Sequence, residues 1–202
     1  MNGPARAPWS VFAAVALGTF MATLDSSIVN IALPTLARTF RAGVTQIEWV
    51  ALAYVLTITA LLLPFGRLGD ALGRRRVFLA GLALFTLGSL ACAFAVSAAT
   101  LIFARVAQGV GASMVSANSV ALITAAFPAA QRGRALGMVG ATVGLGLTVG
   151  PPLGGLLLST FAWSTIGRIA GIAATVAFVA AGVMTALVIL GVFHLRKART
   201  TA

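Results

Sequence analysis

Between Arg105 and Arg132 the chain reads VAQGVGASMVSANSVALITAAFPAAQ, Val106 to Gln131, without one charged residue. A helix made of this stretch would have no polar face to turn to water, but it is long enough to cross a bilayer, which takes about 20 largely apolar residues. Charge-free runs also extend from Val77 to Ala104, from Ala135 to Gly167 and from Ile169 to Leu195, and two further spans fit before them. The reading is an all-α membrane protein of six transmembrane helices, at about 10–36, 48–66, 77–96, 100–127, 134–160 and 169–195. The breaks between spans are short. Successive helices are therefore antiparallel neighbours in a single domain, 1–202, with no soluble part.

Composition agrees. Of the 202 residues, 60% are hydrophobic and 8% charged, against about a quarter charged in an ordinary soluble domain. Such a chain cannot build the polar shell that a soluble core needs. Its 14 Lys and Arg against 3 Asp and Glu would suggest nucleic acid in a soluble protein. Here the basic residues are scattered over short gaps without interleaved aromatics, so nucleic acid is excluded as a partner and the charge is a topology signal. With the N-terminus inside, the cytoplasmic segments hold Arg6, Arg67, Arg74, Arg75, Arg76, Arg132, Arg134, Arg196, Lys197 and Arg199, and the outer ones Arg38, Arg41 and Arg168. Both termini are expected in the cytoplasm, and a multi-pass protein of the plasma or inner cell membrane is expected. Arg6 before the apolar run Val11–Leu24 superficially fits a signal peptide, but the helix pattern continues through Asp25 to about Leu36, which reads as a retained span. The single cysteine, Cys92, offers no disulfide framework and no metal cluster. With no Gly-x-Ser-x-Gly turn and a lone His194 at the last helix end, the reading is no enzyme, no metal and no cofactor.

Charges inside a span are expensive and mark function by default. Asp25 lies well within the first span, in LDSSIVNIALP, Leu24 to Pro34. A carboxylate so placed can take up and release a proton, as a proton-coupled transporter requires. The alternative is a structural carboxylate bonded to neighbouring hydroxyls or close to the outer interface. Arg105 stands a few residues into the fourth span, and Gln108, Ala112, Ser116 and Ser119 follow on its helical face. An inward Arg105 needs a carboxylate or carbonyl, and Asp25 is the one carboxylate well inside any span. The alternative is an arginine that snorkels to a helix end.

Two further patterns are structural on their face. Gly146, Gly150 and Gly154 recur every four residues in the fifth span, as do Gly140 and Gly144, and this spacing lets helix backbones approach closely. Pro151 cannot donate to the carbonyl of Leu147, so a bend or weak point is expected there. Between the second and third spans the chain reads GRLGDALGRRR, Gly66 to Arg76. Asp70 adds nothing to topology. Four residues before Arg74 and across Gly73, it suggests a salt-bridged turn that holds two helix ends together in one conformation.

Together these stretches resemble the major facilitator superfamily, and within it the N-terminal half of the fourteen-span drug:proton antiporters. Gly66 to Phe78 is similar to the loop 2–3 signature, with Asp70, Gly73, Arg74 and Arg75 in place, although Ala71 stands for a basic residue and Phe78 for an aliphatic one. Leu101 to Ala112 is similar to the fourth-helix signature, with Arg105, Gln108, Gly109 and Gly111, and Gly146 to Gly155 reproduces the fifth-helix exporter signature. Leu24 to Pro34 is similar to the first-span element of that branch, with Ser27 where threonine is usual, and Trp49 and Tyr54 also fit.

The resemblance implies a proton-coupled exporter of small amphipathic or cationic molecules, driven by the proton gradient through alternating access. It implies that Asp25, Arg105, Gln108, Asn30 and Tyr54 line the coupling and substrate cavity. It makes Gly66, Asp70, Gly73, Arg74 and Arg75 a gating loop, and Gly146, Gly150, Pro151, Gly154 and Gly155 a hinge and packing seam. The six expected spans would make up one of the family's two bundles, and residues 163–202 lack the Trp-rich element that follows the fifth span in that branch. The expectation is a shortened derivative, or a half-size unit that works as a homodimer or with a complementary second half. The alternative is a non-transporting remnant or interaction subunit.

Overall fold

Where the sequence runs apolar, no side chain can satisfy a backbone amide and lipid supplies no water, so each segment must close its own hydrogen bonds as a helix. The computed structural model describes residues 6–160, and in it they form five long helices: α1 (Arg6–Phe40), α2 (Val44–Leu72), α3 (Arg74–Ala93), α4 (Ala98–Ala126) and α5 (Ala129–Thr160). All five are long and apolar enough to cross a membrane. The expected sixth span, 169–195, lies outside the described residues.

The helices reach further than their apolar runs. The expected break between the second and third spans is not a loop, because α2 continues to Leu72, α3 begins at Arg74, and Gly73 alone separates them. Gly73 has φ 97° and ψ 117°, a conformation that a Cβ disfavours, and this one residue reverses the chain. Elsewhere the turns follow the local chemistry of helix ends. Arg41, at φ 50°, ends α1 in the left-handed region, and the Ala42 amide donates to the Ala37 carbonyl at 3.0 Å, the bond of a Schellman cap. Ser97 and Thr100 form a reciprocal capping box at the start of α4. Pro128 follows α4, and Arg132 Nε donates to the Phe127 carbonyl at 3.1 Å.

Helix α4 is central. It packs against α3 and α2 most extensively and also against α1, while α5 packs mainly on α1. Lipid removes the hydrophobic drive between helices, so close backbone packing has to supply it. A Cβ at Gly88 would sit 2.6 Å from the Gln108 Cα, and one at Gly81 2.6 Å from the Met114 Cβ. Glycine therefore brings α3 against the backbone of α4. Two apolar clusters fill the interior. One includes Val15, Tyr54, Phe78, Phe85, Val115 and Phe127, and the other Ala32, Leu36, Ile47, Val50, Ala98 and Leu101. Between Tyr54 of the first and Val50 of the second lies the guanidinium of Arg105.

The up-and-down order puts Arg67, Arg74, Arg75, Arg76, Arg132 and Arg134 at the end where α1 begins, and Arg38 and Arg41 at the opposite end. Trp9 of α1 packs edge-on against Phe127 at the end of α4, ring centroids 5.5 Å apart, which ties the first end together.

Candidate functional site

Arg105 is 2% exposed, and residues of α1, α2 and α4 hold it. Its Nη1 donates to Asp25 Oδ2 of α1 at 2.6 Å and to Gln108 Oε1 at 2.6 Å. Its Nε donates to the Val50 carbonyl of α2 at 3.3 Å, and its guanidinium carbon lies 4.1 Å from the centroid of the Tyr54 ring. A planar fork over an aromatic face, with donors aimed at a carboxylate and an amide, is a geometry that arginine alone can fill.

Gln108 completes the network because it is one helical turn from Arg105 and therefore on the same face. Its Nε2 donates to Asp25 Oδ1 at 3.1 Å and to Ser89 Oγ of α3 at 2.7 Å, and the Cys92 thiol reaches its Oε1 at 3.8 Å. Arg105 and Gln108 thus grip one oxygen each of the same carboxylate. Among the described residues no buried side-chain nitrogen or oxygen lacks a partner. The asymmetry lies in Asp25, whose side chain is 26% exposed against 2% for Arg105. The arrangement is a carboxylate anchored from behind by a buried cation and open on its other side. Loss of that carboxylate's charge would weaken its hold on Arg105.

Ser89 was absent from the sequence reading, since a serine in an apolar helix gives no signal until a buried amide faces it. Asn30 does not join the cluster. Five residues beyond Asp25 it is turned about 140° around α1 and is exposed. Ser116 is also exposed, and the buried polar residues at that depth of α4 are Asn118 and Ser119. Asn118 Nδ2 donates to the Met114 carbonyl at 2.9 Å and to the Phe65 carbonyl of α2 at 3.4 Å. The Asn118 side chain occupies the space a Cβ at Gly69 would need.

Around Gly73, Asp70 and Arg74 are joined at 2.8 Å across the break. Both are largely exposed, so the pair adds little stability by itself, although it bridges the two helix ends. Arg75 is exposed and outside that pair, and Gly66 faces open space. On α5, a Cβ at Gly146 would run into Thr23, and one at Gly150 would lie 2.5 Å from Ser27 Oγ. Gly154 meets Ile28 at ordinary contact distance, 3.5 Å. Gly140, Gly144 and Gly155 have no neighbour within 4 Å, so the seam with α1 uses one of the two glycine registers. The helix continues through Pro151 and Pro152.

The model of the Major Facilitator Superfamily matches residues 15–198 of the chain. A riboflavin transporter, RibZ, of Clostridioides difficile is 44% identical over 158 residues, which are 78% of this chain and 35% of that protein. The multidrug resistance protein Stp of Mycobacterium tuberculosis is 47% identical over 76% of this chain and 29% of its own length. The tetracenomycin C resistance and export protein of Streptomyces glaucescens is 34% identical over 84% of this chain and 32% of its own. The chain thus spans about a third of the length of these curated relatives. A crystal structure of a bacterial homologue of the human lysosomal transporter Spinster, inward-facing and unoccupied, superposes with a TM-score of 0.71 at 17% identity, over 90% of this chain and 44% of that one.

Proposed function

The chain belongs to the Major Facilitator Superfamily, a family of transporters rather than enzymes, and from that premise we propose that it is one bundle of a proton-coupled exporter of small amphipathic or cationic molecules. The observation that carries the reading is Asp25, held by Arg105 and Gln108 from the buried side and open on the other. Proton uptake at Asp25 cancels its charge and loosens its hold on Arg105, and proton release restores both. A cation entering from the open side competes for the same carboxylate, which is the exchange an antiporter needs. Relatives named for multidrug resistance and for antibiotic resistance and export support the efflux direction.

In this reading the chain makes six crossings of the cell membrane with both termini in the cytoplasm, and Asp70 and Arg74 gate the cytoplasmic end. A transport path between two bundles requires a second one, which a second copy of the chain supplies as a parallel dimer. The proton gradient is the energy source, and no cofactor takes part. Asp25→Asn keeps the shape and a hydrogen-bond acceptor but cannot cycle a proton. It is expected to abolish proton-driven efflux from loaded vesicles at unchanged expression, and full efflux by this variant would sink the mechanism. Crosslinking in native membranes should trap the dimer.

The alternative reading is a membrane remnant or interaction subunit that transports nothing. Unchanged susceptibility to every tested compound on both deletion and overexpression would decide for it.

A further inference from the structure

Interior prolines leave a carbonyl without its helix donor, and in a bilayer no water replaces that donor. Pro151 does this to Leu147 in α5. The hydroxyl of Ser27, on α1, points at that same carbonyl, with Oγ 3.4 Å from the Leu147 oxygen. Ser27 is buried, and it lies against Gly150, where a Cβ would come within 2.5 Å of both its Cβ and its Oγ. The residue before the proline is therefore bare where the serine enters. One turn away Thr23 faces Gly146 in the same way, but its hydroxyl is turned back to its own helix, 2.8 Å from the Thr19 carbonyl and 2.9 Å from that of Phe20. The two hydroxyls have comparable access to α5. The one that turns outward is the one beside the freed carbonyl.

The position of Ser27 on α1 gives this contact a consequence. Two residues along a helix are about 200° of rotation, so Asp25 faces α4 while Ser27 faces α5. Helix α1 is gripped on opposite sides, by Arg105 and Gln108 at one residue and by the Leu147 carbonyl two residues on. We propose that Ser27 is a positioning residue for Asp25: its hydroxyl supplies the hydrogen bond that Pro151 withholds and so sets the register of α1 between α5 and the Arg105 network. The bond is long for a hydroxyl donor, so a slide of well under a helical turn breaks it, with no intrahelical bond lost on either side. A seam of bare glycine contacts would have no such preferred register.

The test separates the hydroxyl from its shape and from the proline. Purified full-length chain in detergent is treated with a hydrophobic carbodiimide, and labelling of Asp25 is followed by mass spectrometry alongside the thermal midpoint. Ser27→Val removes the hydroxyl and Ser27→Thr, nearly identical in shape, retains it. Asp25 is expected to label several-fold faster in the valine variant and at the parent rate in the threonine variant. In a Pro151→Ala chain, Leu147 regains a helix donor, and Ser27→Val should no longer change the rate. Equal labelling of the valine and threonine variants overturns the proposal. So does a valine effect of the same size with and without Pro151. A loss of thermal midpoint common to both variants, with labelling unmoved, makes Ser27 a packing residue only and also overturns it. None of these readouts depends on transport.

Discussion

Removing Asp25 and removing Arg105 leave different residues behind. Without Asp25, a guanidinium that is 2% exposed keeps its charge with one amide and one carbonyl for company. Without Arg105, the carboxylate left behind is 26% exposed and keeps its open side. Breaking a buried pair from one side costs about 3–5 kcal/mol, and the upper part of that range belongs to the change that strands the buried cation. Asp25→Leu should therefore lower the unfolding free energy in mixed micelles more than Arg105→Met, which fills most of the same volume. Equal losses would mean that Asp25 is not the solvated partner. The pair was legible in the sequence for a simple reason: with one carboxylate and one arginine deep in the spans, each had only the other. Ser89 was not, nor was the outward hydroxyl of Ser27, because lone hydroxyls in lipid-spanning helices usually bond their own backbone, as Thr57 and Thr86 do here. Asn30 was grouped with Asp25 by its motif, although helical rotation sets it on another face.

At the scale of elements, the glycines divide into those that permit a contact, those that permit a conformation and those that do neither. Gly73 belongs to the second kind: nothing lies within 4 Å of its missing Cβ, yet its φ is 97°. Gly66, in the same signature, has equal space and lies within α2. Substitution by alanine should split the two. Gly73→Ala should cost about 1–3 kcal/mol for a side chain in a sparsely populated region, and should open the angle that lets Asp70 reach Arg74. Gly66→Ala should gain about 0.5–1 kcal/mol, the ordinary helix preference. The paired unfolding midpoints check this, and a stabilising Gly73→Ala would show that the break does not need its left-handed residue. Sequence spacing alone could not make this division. Both residues sit in the same short signature, and only backbone angles tell a hinge from a bystander. The same holds on α5, where Gly146 and Gly150 meet α1 while Gly140, Gly144 and Gly155 face open space. Which register is used depends on the rotation of the helix, which a four-residue repeat does not encode.

For the whole molecule, the helices of the described chain could be read from largely apolar runs, but their ends could not, because polar residues at a membrane boundary extend a helix as readily as they stop it. The two ends of the bundle then differ in a way that fixes the expected orientation. Seven arginines, Arg6 at the start of α1 among them, lie at the end where α1, α3 and α5 begin and two lie at the other end, and basic residues are retained on the cytoplasmic side. The Asp70–Arg74 pair offsets one of the seven. The excess survives it. Cysteine scanning turns this into a measurement, since the chain has a single cysteine, Cys92, half-buried beside Gln108. In a Cys92→Ala chain, which gives up a weak thiol contact, Val96→Cys places a thiol between α3 and α4 at a position 84% exposed. Gln131→Cys places one near the start of α5, at the arginine-rich end. A membrane-impermeant maleimide added to intact cells should label the first and spare the second until the cells are permeabilised. The reverse pattern would put Arg74 and its neighbours outside. It would also remove the cytoplasmic gate from the proposed mechanism, because Asp70 and Gly73 lie at the same end as Gln131.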